Sequence, residues 1–457
     1  MKVTVSNTIT IENPTDEIKR WCNQNLVISN PEYAKKARMH LWLGNTPSKI
    51  NLFEQRGDTL ILPFGTLRQL PLAGGTVVSE FPDHPTIDYG ESVPLYDYQS
   101  EAVEQVFSRH YGILHSPTGS GKTQMAIALI KRFGRRALWL THTHDLLRQS
   151  KQRAEQYTDK SLIGTITEGK VNLGKGITFA TVQTMCKLDL SQYKDYWDVI
   201  VADECQHIAG SPTSVTQFYK VLNSLSARHK IGLSATVHRA DGLIAATHAL
   251  IGEIVYTVPE EAIGDRIMKV GIIPVETGVG ISRECLNTDG TLNYQKLIAY
   301  LCDNRERNAV ILEHILERAH RPCLILSDRL HHLEFLMKAL PLTERMNAVM
   351  ISGKMTSKQG KAEREQAIGD MRTGRKNLLF ATYNLCKEGL DIPRLEYLFS
   401  TMPVKDETVV IQSVGRIARA AEHKSNPIAY DFVDNIDFAV RAYRQRLRHY
   451  KKAGCVM

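Results

Sequence analysis

Ser116-Pro117-Thr118-Gly119-Ser120-Gly121-Lys122-Thr123 follows the apolar run Tyr111-Gly112-Ile113-Leu114-His115 and precedes the helix-like stretch Gln124-Met125-Ala126-Ile127-Ala128-Leu129-Ile130. Strand, glycine-rich loop and helix in that order form a phosphate-binding P-loop. The glycines let backbone N–H groups curl around phosphate oxygens, and the helix N-terminus adds partial positive charge. Lys122 is expected to reach the β- and γ-phosphates, and the Thr123 hydroxyl to ligate Mg²⁺. Ser116 stands where the general pattern has its first glycine. Gly119, Ser120 and Gly121 complete the expected ATP cradle.

Further along, Trp197-Asp198-Val199-Ile200-Val201-Ala202 runs into Asp203-Glu204-Cys205-Gln206-His207. An apolar strand that ends in a carboxylate pair suits nucleotide hydrolysis. Asp203 would hold Mg²⁺, and Glu204 would act as general base toward the attacking water.

The organisation around these motifs is α/β. From about residue 91 to 255, apolar runs (Ala137-Leu138-Trp139-Leu140, Ile177-Thr178-Phe179-Ala180, Val199-Ile200-Val201-Ala202) alternate with helical patterns. That alternation implies a parallel sheet covered by helices. Residues 256–300 read as a connector. The alternation resumes over 301–457 without a second P-loop, which implies two tandem parallel-sheet domains and a nucleotide site completed by the second. Residues 1–90 read as a small N-terminal α+β domain, with Gly74-Gly75 and the stretch Pro82 to Gly90 as linker. Their role stands open between a module that grips the substrate and a lid that stabilises the first domain.

The chain has 457 residues, 43% of them hydrophobic, enough for several cores. No apolar run approaches the ~20 residues that cross a bilayer, and the N-terminus lacks a signal pattern. A cytoplasmic protein of viral or bacterial origin is expected. The eight cysteines form no C-x-x-C pair, so neither a zinc knuckle nor a disulfide framework is indicated. Net charge is +8, and residues 1–90 balance at nine basic and nine acidic groups, so the remainder carries the excess. The segment from Arg441 to Lys452 is strongly basic with interleaved tyrosines, a pattern suited to phosphate contacts or to a solvated helix face.

The ordered motifs between residues 94 and 419 resemble those of the superfamily 2 helicases. Tyr96-Asp97-Tyr98-Gln99 looks like the Q-type motif, whose glutamine reads adenine. Leu140-Thr141-His142-Thr143 and Phe179-Ala180-Thr181-Val182 resemble motifs Ia and Ib, and Ala381-Thr382-Tyr383 opens a stretch like motif V. The resemblance implies nucleic-acid backbone contacts near Thr141, Thr181 and Thr382. Gly232-Leu233-Ser234-Ala235-Thr236 is similar to motif III, implying that Ser234, Thr236 and Gln206 couple hydrolysis to movement. Gly389 and Asp391 fall in the motif V stretch, and Gln412, Arg416 and Arg419 in one like motif VI, so the first two are expected at ATP and the other three in catalysis. Arg416 and Arg419 are three apart and would share a helical face. Gln206 departs from the histidine of DEAH-type members, and Ala418 from the usual residue between the arginines. His238-Arg239-Ala240-Asp241-Gly242 and Asp303-Asn304-Arg305-Glu306-Arg307-Asn308 resemble the branch that holds XPB-type and phage UvsW-type helicases. ATP and Mg²⁺ as cofactors and branched DNA as partner follow as implications. RNA, or remodelling without strand separation, remains the alternative.

Overall fold

The computed structural model describes residues 1–208, 216–236, 243–264, 267–355, 357–387, 390–422 and 424–457. The chain divides into two units, Met1–Ala262 and Ile263–Met457.

The first unit contains an eight-stranded sheet. Its order runs Lys170–Asn172, Ile163–Thr167, Ile177–Thr181, Ala137–Thr141, Val199–Asp203, His229–Ser234, Gly112–His115, Ile254–Thr257. Every neighbouring pair is parallel except the first, where Thr165 faces Asn172 in an antiparallel ladder. The strands at 137–141, 177–181 and 199–203 are buried along their whole length, which explains their unbroken apolar runs. Trp139 and Phe179 stack across adjacent strands with centroids 5.6 Å apart.

The N-terminal residues form the expected α+β module. A five-stranded sheet orders Glu54–Arg56, Thr59–Pro63, Thr8–Glu12, Lys2–Val5 and Thr76–Ser79, and a two-stranded ladder pairs Val27–Ser29 with Lys49–Asn51. This module is not tethered by a linker. Its core residues Ile9, Leu62 and Phe64 share one apolar cluster with Tyr111, Ala246 and Ala249 of the parallel-sheet domain. A Cβ on Gly65 would lie 2.4 Å from the His248 carbonyl and 2.4 Å from the Gly252 nitrogen, so backbone meets backbone there. Arg68 donates to the Tyr111 carbonyl at 3.1 Å and covers its ring at 3.8 Å. Buried Lys230 donates to the Leu222 carbonyl at 2.9 Å and reaches the Asn7 carbonyl at 3.4 Å. The stretch 82–90, read as linker, is strapped onto the sheet domain. His84 meets Asp198 at 3.0 Å, and the Tyr89 hydroxyl donates to the Arg135 carbonyl at 2.8 Å.

The second unit holds a six-stranded all-parallel sheet in the order Gly271–Glu276, Ile428–Val433, Tyr397–Ser400, Cys323–Ser327, Leu378–Thr382, Ala348–Ile351. The connector expected over 256–300 is therefore mostly built into the two units. Ile254–Thr257 pairs with Gly112–His115 in the first, while Gly271–Glu276 and helix Tyr294–Asp303 belong to the second. The polar segment at 303–308 is internal to the fold. Asn304 caps helix Arg305–Arg318, and fully buried Arg307 bonds Asp434 at 2.7 Å. Asn308 bonds the Cys302 carbonyl at 2.8 Å and His332 at 2.9 Å.

The basic C-terminal segment lies in helix Asp437–Lys452 and is only partly a surface. Arg446 is buried and grips Asp431 with two 2.8 Å bonds, and the Tyr450 hydroxyl adds a third at 2.9 Å. Arg441, Arg444, Arg448, Lys451 and Lys452 remain exposed. Among the described residues the cysteines are unbridged, and no helix is long and apolar enough to cross a membrane.

Candidate nucleotide-hydrolysis site

Parallel sheets present ligands at the carboxyl ends of their strands. In the first unit, five neighbouring parallel strands end in the motifs read from sequence: His115 into Ser116, Thr141, Thr181, Asp203 and Ser234. Register aligns them, with Ser234 beside His115, Asp203 beside Leu233 and Thr141 beside Thr181.

The phosphate loop leaves strand Gly112–His115 and enters helix Lys122–Phe133. Gly119 and Gly121 sit at φ +89° and +86°, the left-handed region where a side chain is strained. A Cβ on Gly121 would also lie 2.3 Å from the Gln99 amide nitrogen. Lys122 Nζ donates to the carbonyls of Ser116 at 3.0 Å and Pro117 at 3.2 Å, which places the ammonium inside the curl of the loop. Ser120 bonds Ser116 through a short hydroxyl–hydroxyl contact and the Pro117 carbonyl at 2.8 Å. Thr123 follows in the first turn of the helix.

Gln99 has a different setting from the adenine-reading one expected. It is buried in helix Asp97–Arg109, its Nε2 donates to the Ser120 carbonyl at 2.9 Å, and its Oε1 accepts from the Tyr96 amide at 3.0 Å. Tyr98 adds a second 2.9 Å bond to the Ser120 carbonyl. In this structure the Q-type segment is a brace for the phosphate loop.

Asp203 is buried at the end of its strand, where it accepts from Ser150 at 3.4 Å and from the Glu204 amide at 3.1 Å. Burial first, then the neighbouring Glu204, push its carboxyl well above the ordinary range, and Lys122 opposes them only in part. A buried carboxylate with a second, half-buried one beside it and one ammonium nearby suits a divalent cation, so Asp203 and Thr123 fit as Mg²⁺ holders. Glu204 adopts a left-handed backbone, φ +54° and ψ +51°, rare for a non-glycine residue and typical of functional positions. Its carboxylate accepts from Gln206 Nε2 at 2.5 Å, and Gln206 Oε1 accepts from the Ser234 hydroxyl at 2.6 Å. The Thr236 amide donates back to Ser234 Oγ at 3.0 Å. Glu204, Gln206, Ser234 and Thr236 thus form one chain from the expected base to the expected coupling segment.

The sequence reading missed Ser150 as a partner of Asp203, since its helix carries no motif signal. It also missed His142, whose ring lies 4.4 Å from that of His207. Burial pulls the His142 imidazole down to about 4, so it stays neutral.

Thr141 and Thr181 serve a turn and a helix cap with their hydroxyls. Both are buried, and their hydroxyls are spent on the Thr143 carbonyl at 3.0 Å and on the Thr184 hydroxyl at 2.8 Å. Gln183 ties the two segments together by donating to the His142 carbonyl at 2.8 Å.

In the second unit, helix Glu407–Ile417 carries Gln412 and Arg416 on its buried side. Arg416 donates to the carbonyls of Cys386 at 3.0 Å and Leu390 at 3.1 Å, so it fastens the motif V stretch. Arg419 forms a close ion pair with Asp391, which also accepts from Arg372 at 3.2 Å. Asp391 is therefore a holder of arginines here. The Gln412 amide oxygen and Arg419 Nε are buried and have no hydrogen-bond partner among the described residues. Thr382 ends strand Leu378–Thr382. Gly389 and the segment 237–242 lie outside the described residues.

Comparisons with known proteins agree with this arrangement. Residues 92–239 match the family described as type III restriction enzyme, res subunit, and residues 306–421 match the helicase conserved C-terminal domain. A protein of Acanthamoeba polyphaga mimivirus named as an ATP-dependent RNA helicase is 27% identical over 71% of this chain, and the match spans 60% of that protein's length. The DNA 3'-5' translocase XPB2 of Sulfurisphaera tokodaii is 24% identical over 73% of this chain and 81% of its own. In three dimensions, a fragment of an HsdR subunit of a type I restriction enzyme from Vibrio vulnificus aligns with a TM-score of 0.57 and 18% identity over 78% of this chain and 66% of that one.

Proposed function

We propose that this chain, a member of the superfamily 2 helicases, uses ATP hydrolysis to move along and separate strands of branched DNA. The observation that carries the reading is the hydrogen-bonded chain from the expected base to the coupling segment, in which Glu204 is bonded to Gln206 and Gln206 to Ser234, on the sheet whose strand ends also carry the phosphate loop.

Within the chemistry, the loop 116–121 and Lys122 bind the phosphates. When bound, Mg²⁺ offsets phosphate charge, and Asp203 with Thr123 would hold it. Glu204 takes the proton of the attacking water, and its left-handed backbone fixes where the carboxylate points. Gln206 donates its amide N–H to that carboxylate and accepts from Ser234, so a shift of Ser234 alters the setting of the base. Arg419 is the expected source of positive charge for the transferring phosphoryl group, and Arg416 keeps the motif V stretch in place within the second unit.

Strand contact is expected mainly at phosphates, which gives weak sequence preference and steep salt dependence. The relative from Sulfurisphaera tokodaii is named a DNA translocase, which supports DNA. The mimivirus relative is named as an RNA helicase, which favours RNA as the second reading. ATP hydrolysis measured side by side with single strands, duplex, forks, four-way junctions and RNA separates them, alongside strand displacement on the same substrates. Forks and junctions should stimulate most. Stronger stimulation by RNA would transfer the reading to RNA, and hydrolysis with no strand displaced would leave a remodelling ATPase.

A further inference from the structure

The N-terminal module carries an exposed apolar loop on a basic base that nothing in the hydrolysis site uses. Helix Pro31–Arg38 ends at Met39, and the chain returns through residues 40–48 to strand Lys49–Asn51. On this loop Met39 is 56%, Leu41 53% and Trp42 89% exposed. An indole left almost wholly in water forgoes a large apolar burial, so its exposure asks for a partner.

The loop is an ordered structure. The Leu41 amide donates to the Lys36 carbonyl at 2.9 Å and the Thr46 amide to the Leu43 carbonyl at 3.0 Å. Lys36 Nζ reaches the Thr46 hydroxyl at 2.8 Å, and Asn30 Nδ2 holds the Pro47 carbonyl at 2.8 Å. The Trp42 ring rests on Gly44, where an added Cβ would meet ring carbons at 2.9 Å and φ is +51°. One ring face is thus backed by bare backbone while the side chain as a whole remains open.

Charge points to the occupant. Of the nine basic and nine acidic residues in 1–90, residues 31–49 hold four basic ones (Lys35, Lys36, Arg38 and Lys49) and one acidic, Glu32. Glu32 is already paired with Lys36 at 2.7 Å. The module is neutral as a whole, so the positive charge is concentrated around the exposed indole. An aromatic face flanked by cations is the arrangement that stacks an unpaired base and takes its neighbouring phosphates.

We propose that Trp42 stacks on an unpaired base at the mouth of a duplex arm, with Lys35, Arg38 and Lys49 on the adjoining phosphates. The inference rests on the branched-DNA reading and assigns it a second contact site apart from the motor motifs.

The test uses the full chain and fluorescein-labelled fork DNA followed by anisotropy. Trp42→Ala should weaken fork binding about tenfold, in the range for loss of one stacked base. Trp42→Phe should restore most of it. Because Trp42 is exposed, the melting temperature of either variant should equal that of wild type. Gly44→Ala should weaken binding in the same direction by displacing the ring. Fork addition should quench tryptophan emission in wild type and much less in Trp42→Phe, since of the other three tryptophans Trp139 and Trp197 are buried and Trp21 packs partly buried against the module's core. Lys35→Glu with Arg38→Glu should lower the slope of log affinity against log salt by about 2. Wild-type fork binding by Trp42→Ala would overturn the proposal, as would unchanged fork affinity with a loss of self-association in sedimentation. If instead no DNA stimulates wild-type ATP hydrolysis, the helicase reading itself fails, and the two failures are distinguishable.

Discussion

Lys122 and Glu204 sit at the phosphate loop and at a strand end, outside the apolar cores, so their substitution reports on chemistry more than on folding. Lys122→Ala should abolish ATP turnover while the melting temperature stays put, because the side chain reaches back from the helix start to the loop carbonyls of Ser116 and Pro117. Near-normal turnover would remove the phosphate-loop assignment. Glu204→Gln keeps the amide geometry and removes the base, and kcat should fall by about 10²–10⁴ with nucleotide binding retained. The two arginines should separate. Arg419→Ala should cut kcat by about 10³ with a small change in nucleotide affinity, since the charge it meets develops in the transition state. Arg416→Ala should also lower the melting temperature, because it strips donors from two carbonyls in a buried setting. Equal thermal stability of the two variants would count against that division. The Asp203 carboxyl, raised by burial and by Glu204, adds a pH effect. Protons compete with the cation as pH falls, so the Mg²⁺ concentration for half-maximal turnover should rise on acidification and fall again toward alkaline pH. A cation requirement flat across that range would contradict the placement of Mg²⁺ on Asp203.

At the level of elements, the parallel strands and the phosphate loop were legible because their signals are local. A strand buried on both faces reads as an apolar run, and a loop that wraps phosphate needs glycines at left-handed positions. The link from the Asp203-Glu204 segment to motif III was legible as two segments but not as one chain. The bond between Gln206 and Ser234 joins residues 28 apart, on adjacent strand ends. The local roles of Thr141 and Thr181 were hidden for a related reason. A hydroxyl at a strand end reads alike as a cap or as a contact, and only the fold shows the turn and cap bonds both make. The basic C-terminus misled, since an arginine bound to a buried aspartate looks in sequence like any other. Two substitutions follow. Ser234→Ala should leave ATP hydrolysis within about tenfold, the value of one net hydrogen bond, while strand displacement falls much further. Parallel loss of both activities would end the coupling role. Arg446→Met should destabilise the second unit by about 3–5 kcal/mol by leaving Asp431 buried without its cation. Chemical denaturation would measure it.

For the whole molecule, the N-terminal module cannot be treated as an appendage. Its core and that of the first parallel-sheet domain share one apolar cluster. Removal of residues 1–88 should expose Tyr111, Ala246 and Ala249 and lower the melting temperature and soluble yield. A well-folded truncation with the wild-type melting temperature would contradict the shared core. Point changes on the module's exposed loop are for that reason the cleaner probe of what it binds. Salt should weaken DNA binding steeply for the intact chain, as phosphate contacts dictate.

The seam at Gly65 and Arg68 has a mechanical consequence. Arg68 holds the carbonyl of Tyr111, and the next residue begins the strand that runs straight into the phosphate loop. Gly65 presses on the backbone at Gly252, two residues ahead of strand Ile254–Thr257, which is hydrogen-bonded alongside the same strand. No slack chain lies between them. On the proposed reading that the module holds a DNA arm, a pull on that arm would be delivered to the strand that sets the phosphate loop. Grip and engine would then share one lever, through which tension in the substrate would throttle hydrolysis.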